Sequence, residues 1–383
     1  MVQCTADSAT HQTGFFMKST SVWRHFDLWL TAAVLLLTAY GILIIRSAVT
    51  GAPALEGHPE RQMLFAVMGI VVMLILAAVD YRILTSAHWY IYAAFIASLL
   101  FVAVAGAINN DSRRWIQITS TFFLQPSEFG RVFMAVTFGQ FIIHRRHQMH
   151  RFSNTIMALL YLALPVALIF IQPDLGMSIL FFVMWFVIIW LAGLPLSHFL
   201  VLAATGVLAL IFLFPSLEEY QRDRILAFVN PEAVPDQAFN IEQALISIGS
   251  GGWWGKGYLQ GTQSQLGFLR VQHTDFIFSV ITEEMGLIFG SLVVLGLMGF
   301  ILFRILRVAA ITPDPAGKFL CAGIAAVLFF QTFVSVGMNL RLLPVTGLTF
   351  PFVSYGGSSL ITLYMAIGVV QSVLMRHRKQ EFG

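Results

Sequence analysis

Charge is scarce in this chain. Asp, Glu, Lys and Arg make up 11% of its 383 residues, against about a quarter in an average soluble domain. With 58% hydrophobic residues and a mean hydropathy of +0.80, that scarcity excludes a water-soluble globule, which could not hide so much apolar surface. Cysteine is scarce too. Cys4 sits in a polar tail and Cys321 in an apolar run, so neither a disulfide nor a metal cluster is expected. The net charge is only +3 and long basic runs are missing, which removes nucleic acid as a partner. Familiar catalytic signatures are absent as well. In the glycine-rich stretch Ile248–Asp275 the residue five before Gly255 is Ser250 and Gly257 follows Lys256, so the phosphate-loop pattern fails twice. With no H-E-x-x-H and no G-x-S-x-G, an ATPase, a zinc protease or a serine hydrolase gains no support.

What the chain has is apolar runs. A helix needs about 20 mostly apolar residues to cross the hydrocarbon. Uncharged runs cover Leu28–Ile45, Gln62–Val79, Ile83–Asn110, Val132–Ile143 and Thr155–Pro173. The next, Leu175–Leu217, is long enough for two helices with a turn at Ala192–His198. Phe276–Phe303, interrupted by two glutamates, and then uncharged Phe319–Leu340 and Ser358–Met375 follow. Val132–Ile143 is short and needs to start near Phe129 to span. The expectation is an all-α integral membrane protein with ten transmembrane helices over 28–375, between tails 1–27 and 376–383. A long loop, 216–275, joins helices 7 and 8. The first run is followed by nine more and lacks a small-residue cleavage site, so it reads as a span and not a leader.

An even number of spans puts both tails on one side. Of the 22 Lys and Arg, 12 fall on that side and 10 opposite, four of the latter in the long loop that the positive-inside rule discounts. Both termini are therefore expected in the cytoplasm, in an inner membrane. Acids lean the other way: 14 of 19 fall in outer segments or near the outer ends of spans. Polar outer loops explain part of that, but not acids and arginines packed into short apolar segments.

Three outer segments carry them. Asp111–Arg131 holds Arg113, Arg114, Trp115, Glu128 and Arg131; Pro126-Ser127-Glu128 has the form of a helix start. It reads either as a belt tryptophan with a cap or as guanidiniums that grip phosphate. Gln172–Ser178 sets Asp174 in a tight turn, where capping the next helix is as good a reading as chemistry. In the long loop, six glycines between Gly249 and Gly261 surround Lys256. They allow the backbone to approach a ligand or to run re-entrant, with Trp253 and Trp254 as anchors; the bland alternative is a flexible loop. Beyond it, LRVQHTDFIFSVITEEMG sets His273 and Asp275 at the mouth of a span and Glu283 and Glu284 inside it. Ionisable groups within a span point to function. Glu283 is eight residues past Asp275, roughly 12 Å along a helix, so the three acids cannot serve one proton. Asp275 is the choice for chemistry, and Glu283 and Glu284 for holding helices together.

With RRWI, QPSE, QPDLG, YQRDRILAFVNP, IGSGGWWGKGYLQGTQSQLGFL, HTDFIFSVITEEMG and GMNLRLLPVTGLTFPFVSYGGSS in order, the chain resembles the shape, elongation, division and sporulation (SEDS) proteins from about Trp23 to Val373. The GKG…GTQSQL form favours the RodA branch over the FtsW branch. The resemblance implies a ten-helix glycosyltransferase that polymerises lipid II into peptidoglycan glycan, with a class B penicillin-binding protein as its crosslinking partner. The family's essential aspartate falls on Asp275, its tryptophan and arginine on Trp115 and Arg114, its glutamate on Glu128, and the threonine of Gly-Thr-Gln on Thr262. The chain departs at Arg131, where lysine is usual, at Leu269-Arg270-Val271-Gln272, where Leu-Pro-Glu is usual, and at Arg341, where glycine is usual.

The residues suit such a reaction. Asp275 would take the proton of an acceptor hydroxyl. Arg114, Arg131 and Lys256 would stabilise a departing diphosphate. Trp115, Glu128, Thr262 and His273 complete the expected substrate site, and Asp174, Glu283 and Glu284 support it. No organic cofactor and no protein metal cage are expected, although a divalent cation, Mg or Mn, could share the work. The competing classes are a lipid II flippase and a non-catalytic scaffold for the penicillin-binding protein. Paired inverted repeats would favour transport and none is visible. A scaffold would tolerate change at Asp275.

Overall fold

The computed structural model describes residues 23–109, 112–119 and 122–377. Most of the N-terminal tail with Cys4, the tip residue Asp111, and the last residues of the C-terminal tail lie outside the described residues. The helices in chain order are α1 (Leu28–Ala48), α2 (His58–Ala78), short α3 (Tyr81–Ser86), α4 (His88–Ala105), α5 (Pro126–Ile143), α6 (Phe152–Ile171), α7 (Leu175–Leu191) and α8 (Leu196–Leu213). The long segment carries α9 (Glu219–Val229), α10 (Pro235–Gly251) and α11 (Thr262–Gln265). Then come α12 (Ile277–Ile311), α13 (Pro315–Asn339) and α14 (Gly357–Arg376).

Seven of these, α1, α2, α4, α6, α12, α13 and α14, are long and apolar enough to cross a membrane. Shorter α7 and the first part of α8 are apolar too, while α5 carries Glu128 and Arg131 in its first turns. The chain turns between Leu191 and Leu196, where the Ala-Gly-Leu-Pro stretch predicts it. Pro126 does open α5. Among the described residues, the acids on the side of the termini act as caps: Asp27, Asp80 and Asp314 accept from Leu30, Arg82 and Ala316 amides at the starts of α1, α3 and α13. Asp27 and Asp80 also pair with Arg304 and Arg376.

At the centre lies α14, nearly all of it buried. It lies against α2 through two glycines. A β-carbon on Gly368 would stand 2.6 Å from the Met73 carbonyl, and one on Gly69 would stand 2.5 Å from the Tyr364 ring. Small residues of this kind let membrane helices approach closely, where van der Waals packing holds them together. Side-chain amides add polar ties: Gln371 binds both backbone groups of Asp27, and Gln62 binds Ser354 and Gly356.

Two features depart from an all-α chain with a plain loop. The run Ile83–Asn110 is not one helix: it breaks at Ala87, and α4 ends at Ala105. After it, β1 (Ala107–Asn109), β2 (Ser112–Gln117) and β3 (Phe123–Leu124) form a three-stranded antiparallel sheet with Trp115 opposite Ala107. The second departure is the glycine stretch, which packs on protein. A β-carbon on Gly255 (φ +81°) would meet the Glu284 carbonyl at 2.2 Å, and one on Gly286 (φ +73°) the Gly255 nitrogen at 2.3 Å. There α12 widens into a π-helical turn, Gly286–Leu292. The glycine stretch takes up its freed groups: Leu287 and Ile288 amides donate to Gly252 and Trp253 carbonyls, and Lys256 and Gly257 amides donate to Glu283 and Glu284 carbonyls.

Candidate active site

A cavity of about 630 Å³ opens where the first turns of α2, α5, α7 and α14 meet the segment before α12. Helix N-termini carry unpaired amides and the positive end of the dipole, so this end of the bundle favours an anion. Asp275, His273, Arg114, Trp115, Glu128, Arg131 and Asp174, distant in sequence, all line it.

Asp275 is held by its backbone. Its carbonyl accepts from Asn339 Nδ2 at 3.0 Å, and Asn339 Oδ1 accepts from the Ser279 hydroxyl at 2.6 Å. The start of α12 is thereby tied to the end of α13. Burial raises the Asp275 carboxyl above the usual carboxylate range, while Arg224 and the Thr274 hydroxyl pull it back. It has no ion-pair partner among the described residues. Beside it, burial and the neighbouring His58 lower His273 to about 4. At neutral pH the imidazole is therefore uncharged, a hydrogen-bonding group and not a cation. Its ring lies 5.2 Å from that of His58 and 5.9 Å from that of Tyr355.

The other two acids are engaged. Glu128 pairs with Arg131, whose guanidinium also donates to Gln331 Oε1 at 3.0 Å and to Ser359 Oγ at 3.3 Å. Asp174 caps α7 through the Met177 amide, accepts from Gln125 Nε2 at 3.1 Å and faces Arg114 at 3.8 Å. Arg114 donates to the carbonyls of Gln172 and Pro173, stapling β2 to the α6–α7 turn.

Lys256, Thr262, Glu283 and Glu284 are not in this cavity. Glu283 is fully buried under the long segment. It accepts from Lys256 Nζ at 3.2 Å, the Gln263 amide at 2.7 Å and the Ser264 amide at 3.0 Å, and Thr262 Oγ1 joins the cluster. Glu284 accepts from the Ser47 hydroxyl and from Gln265. The two glutamates hold the glycine stretch and α11 onto α12 and α1. Sequence reasoning missed Arg224, Tyr220, His58 and Tyr355, which also line the cavity. The signal available was QRDR, a basic pair in an outer segment. Among the described residues no group of three metal-ligating side chains gathers.

A family model described as "Cell cycle protein", FTSW_RODA_SPOVE, matches residues 27–379. The chain belongs to this family. Among SEDS relatives, the chain is 37% identical over 359 residues to a protein of Escherichia coli K12 named peptidoglycan glycosyltransferase MrdB, with 93% of this chain and 95% of that one covered. Two solved structures share the fold. A chain of a peptidoglycan synthase complex, described as coordinating polymerization and crosslinking, matches at TM-score 0.79 and 29% identity, covering 94% of this chain and 99% of that one. The rod-shape determining protein RodA of Thermus thermophilus matches at TM-score 0.69 and 29% identity, covering 92% and 98%.

Proposed function

We propose that the chain is a SEDS peptidoglycan glycosyltransferase of the RodA type, polymerising lipid II into β-1,4 glycan for cell elongation. The observation that carries this reading is the cavity: among the described residues its one carboxylate without an ion pair, Asp275, shares it with guanidiniums and several helix N-termini. The named relatives support the same activity. In the reaction the acceptor sugar's 4-oxygen attacks the anomeric carbon of the donor. The bond from that carbon to the diphosphate oxygen breaks, and its electron pair leaves with the diphosphate. The proton of the acceptor hydroxyl passes to Asp275, a contribution typically of about 10²–10⁴-fold. Attack opposite an α-linked leaving group inverts the centre, so the product is β. Diphosphate leaves well once its charge is balanced, so no second carboxylic acid of the glycosidase kind is required.

The remaining parts of the reading follow from it. Ten helices, α1, α2, α4 to α8 and α12 to α14, cross the cytoplasmic membrane with both termini inside, and the cavity faces out. Lipid tails lie along the apolar flanks of the spans. A class B penicillin-binding protein is the partner, as the synthase-complex neighbour suggests. Among the described residues no three metal-ligating side chains gather, but Mg or Mn arriving with the diphosphate would fit Asp275, since Mg²⁺ is commonly held by one or two carboxylates plus substrate phosphates.

The test is lipid II polymerisation in detergent by the protein with its cognate penicillin-binding protein, transpeptidation blocked. Wild type is expected to make glycan and Asp275→Asn to lose at least about 10²-fold while keeping fold and partner. A flippase has no second compartment in detergent, and a scaffold tolerates the substitution. Glycan from Asp275→Asn at the wild-type rate would sink the assignment of the base.

A further inference from the structure

Three described guanidiniums line the cavity, and two of them are already committed. Arg131 has Glu128, Gln331 and Ser359 as partners; Arg114 has Asp174 and two carbonyls. Arg224 has neither an ion pair nor a hydrogen bond among the described residues, although it lines the same cavity and its charge acts on Asp275. The fold still fixes it in place. From the second turn of α9 its guanidinium carbon stacks 4.7 Å from the centre of the Tyr220 ring, one turn back on the same helix face. Its Nη1 edge lies against Gly347, whose φ of +77° suits glycine. A β-carbon there would stand 3.0 Å from Arg224 Nη1, so glycine leaves the space that the guanidinium fills. Among the described residues none of its N–H donors is taken by a hydrogen bond, and a planar guanidinium with donors to spare is the group that takes two phosphate oxygens at once.

We infer that Arg224 receives the diphosphate leaving group, and that Arg114 and Arg131 build the cavity wall. Lys256, the third cation expected to do this from sequence, is outside the cavity and bound to Glu283. The inference rests on the glycosyltransferase reading and sharpens it: negative charge develops on the bridging oxygen as the sugar–oxygen bond breaks, and Arg224 is the cavity cation with donors to spare. Because it stands on α9, in the long segment, it also makes that segment a working part of the site.

The experiment uses the full chain with its partner and two readouts. In lipid II polymerisation, Arg224→Gln is expected to lower kcat by about 10²–10³-fold, the usual loss of one preorganised donor to developing charge. Thermal stability should hold and Arg224→Lys should recover part of the rate. Inhibition by added undecaprenyl diphosphate is expected to weaken by at least about tenfold, with undecaprenol as the uncharged control. Gly347→Ala, which crowds the guanidinium without removing charge, should move both readouts the same way. Retained activity within about threefold of wild type overturns the inference. So does a loss of rate with unchanged diphosphate inhibition, because Arg224 would then act only on the Asp275 carboxyl; an acid-limb shift would accompany it, read against the other charged groups facing that carboxyl, Arg114, Glu128, Arg131, Asp174 and the imidazoles. If Arg224→Gln does not fold, Arg224→Lys decides through the same inhibition ratio. If wild type makes no glycan, the activity reading fails by itself. Direct binding of undecaprenyl diphosphate, wild type against Arg224→Lys and Gly347→Ala, then settles the residue.

Discussion

Replacing Glu283 is the sharpest probe of how the long segment is held. Its carboxylate is fully buried and takes two backbone amides at 2.7 and 3.0 Å and the Lys256 ammonium at 3.2 Å. Glu283→Ala would strand an ammonium whose side chain is only 26% exposed and leave two amides under protein. Breaking a buried ion pair from one side costs about 3–5 kcal/mol. Glu283→Gln keeps one acceptor oxygen for the amides but places an NH₂ toward the Ser264 amide or Lys256, so about 1.5–3 kcal/mol is expected. Taking roughly 2 °C per kcal/mol, the low end of the range for large domains, the alanine variant should melt about 6–10 °C below wild type and the glutamine variant about half as far. Intrinsic tryptophan fluorescence in detergent reads it, since Trp253 and Trp254 ride on the segment. Limited proteolysis should open between Gly252 and Gly267. A Glu283→Ala protein that melts within 1 °C of wild type, with the segment still protected, would refute the reasoning.

Other outcomes follow from the same geometry. Arg341 has φ +56°, so Arg341→Gly should gain about 1 kcal/mol in thermal unfolding; a loss would mean its side chain does more than occupy the turn. With Asp275 raised by burial and acting ionised, polymerisation should fall as pH drops through a limb above the ordinary carboxylate value, visible in a kcat/KM profile. His273, lowered to about 4, binds its proton more readily in the unfolded chain. Stability should therefore decline as pH falls from about 6.5 toward 4, and His273→Gln should flatten that decline in thermal melts.

Much of this architecture is legible in hydropathy because a span writes about 20 apolar residues into the chain, and Pro126 and Asp174 mark the helix starts they occupy. The sheet at Ala107–Leu124 leaves no such mark: its strands are two to six residues long, too short for an alternation to stand out. Glu283 and Glu284 are separable from Asp275 in the sequence because eight residues of helix are too far to share a proton, and both lie outside the cavity, against the long segment and α1. Lys256 reads as a substrate ligand as a cation among glycines that allow backbone close to a ligand, and Thr262 through the resemblance to the family's Gly-Thr-Gln. Here the backbone those glycines free is pressed against α12. Arg224 went unseen for a different reason. What distinguishes it is the lack of a partner, and only the assembled cavity shows which arginines are already occupied.

The π turn in α12 also marks a break. At Gly286 the backbone takes φ +73° and ψ −174°, outside the helical region, so the rod is interrupted there and resumes through the wider turn Gly286–Leu292. Above the turn, every residue from Ile277 to Glu284 is enclosed by protein; below it, Val294, Met298, Ile301, Ile305 and Val308 form one inward stripe, with Phe300, Phe303 and Leu306 outward. That interruption frees the lower half from the phase of the upper one, and its helix packs on α1 and α13. Gly286 thus works as a joint, letting one rod serve two differently oriented surroundings.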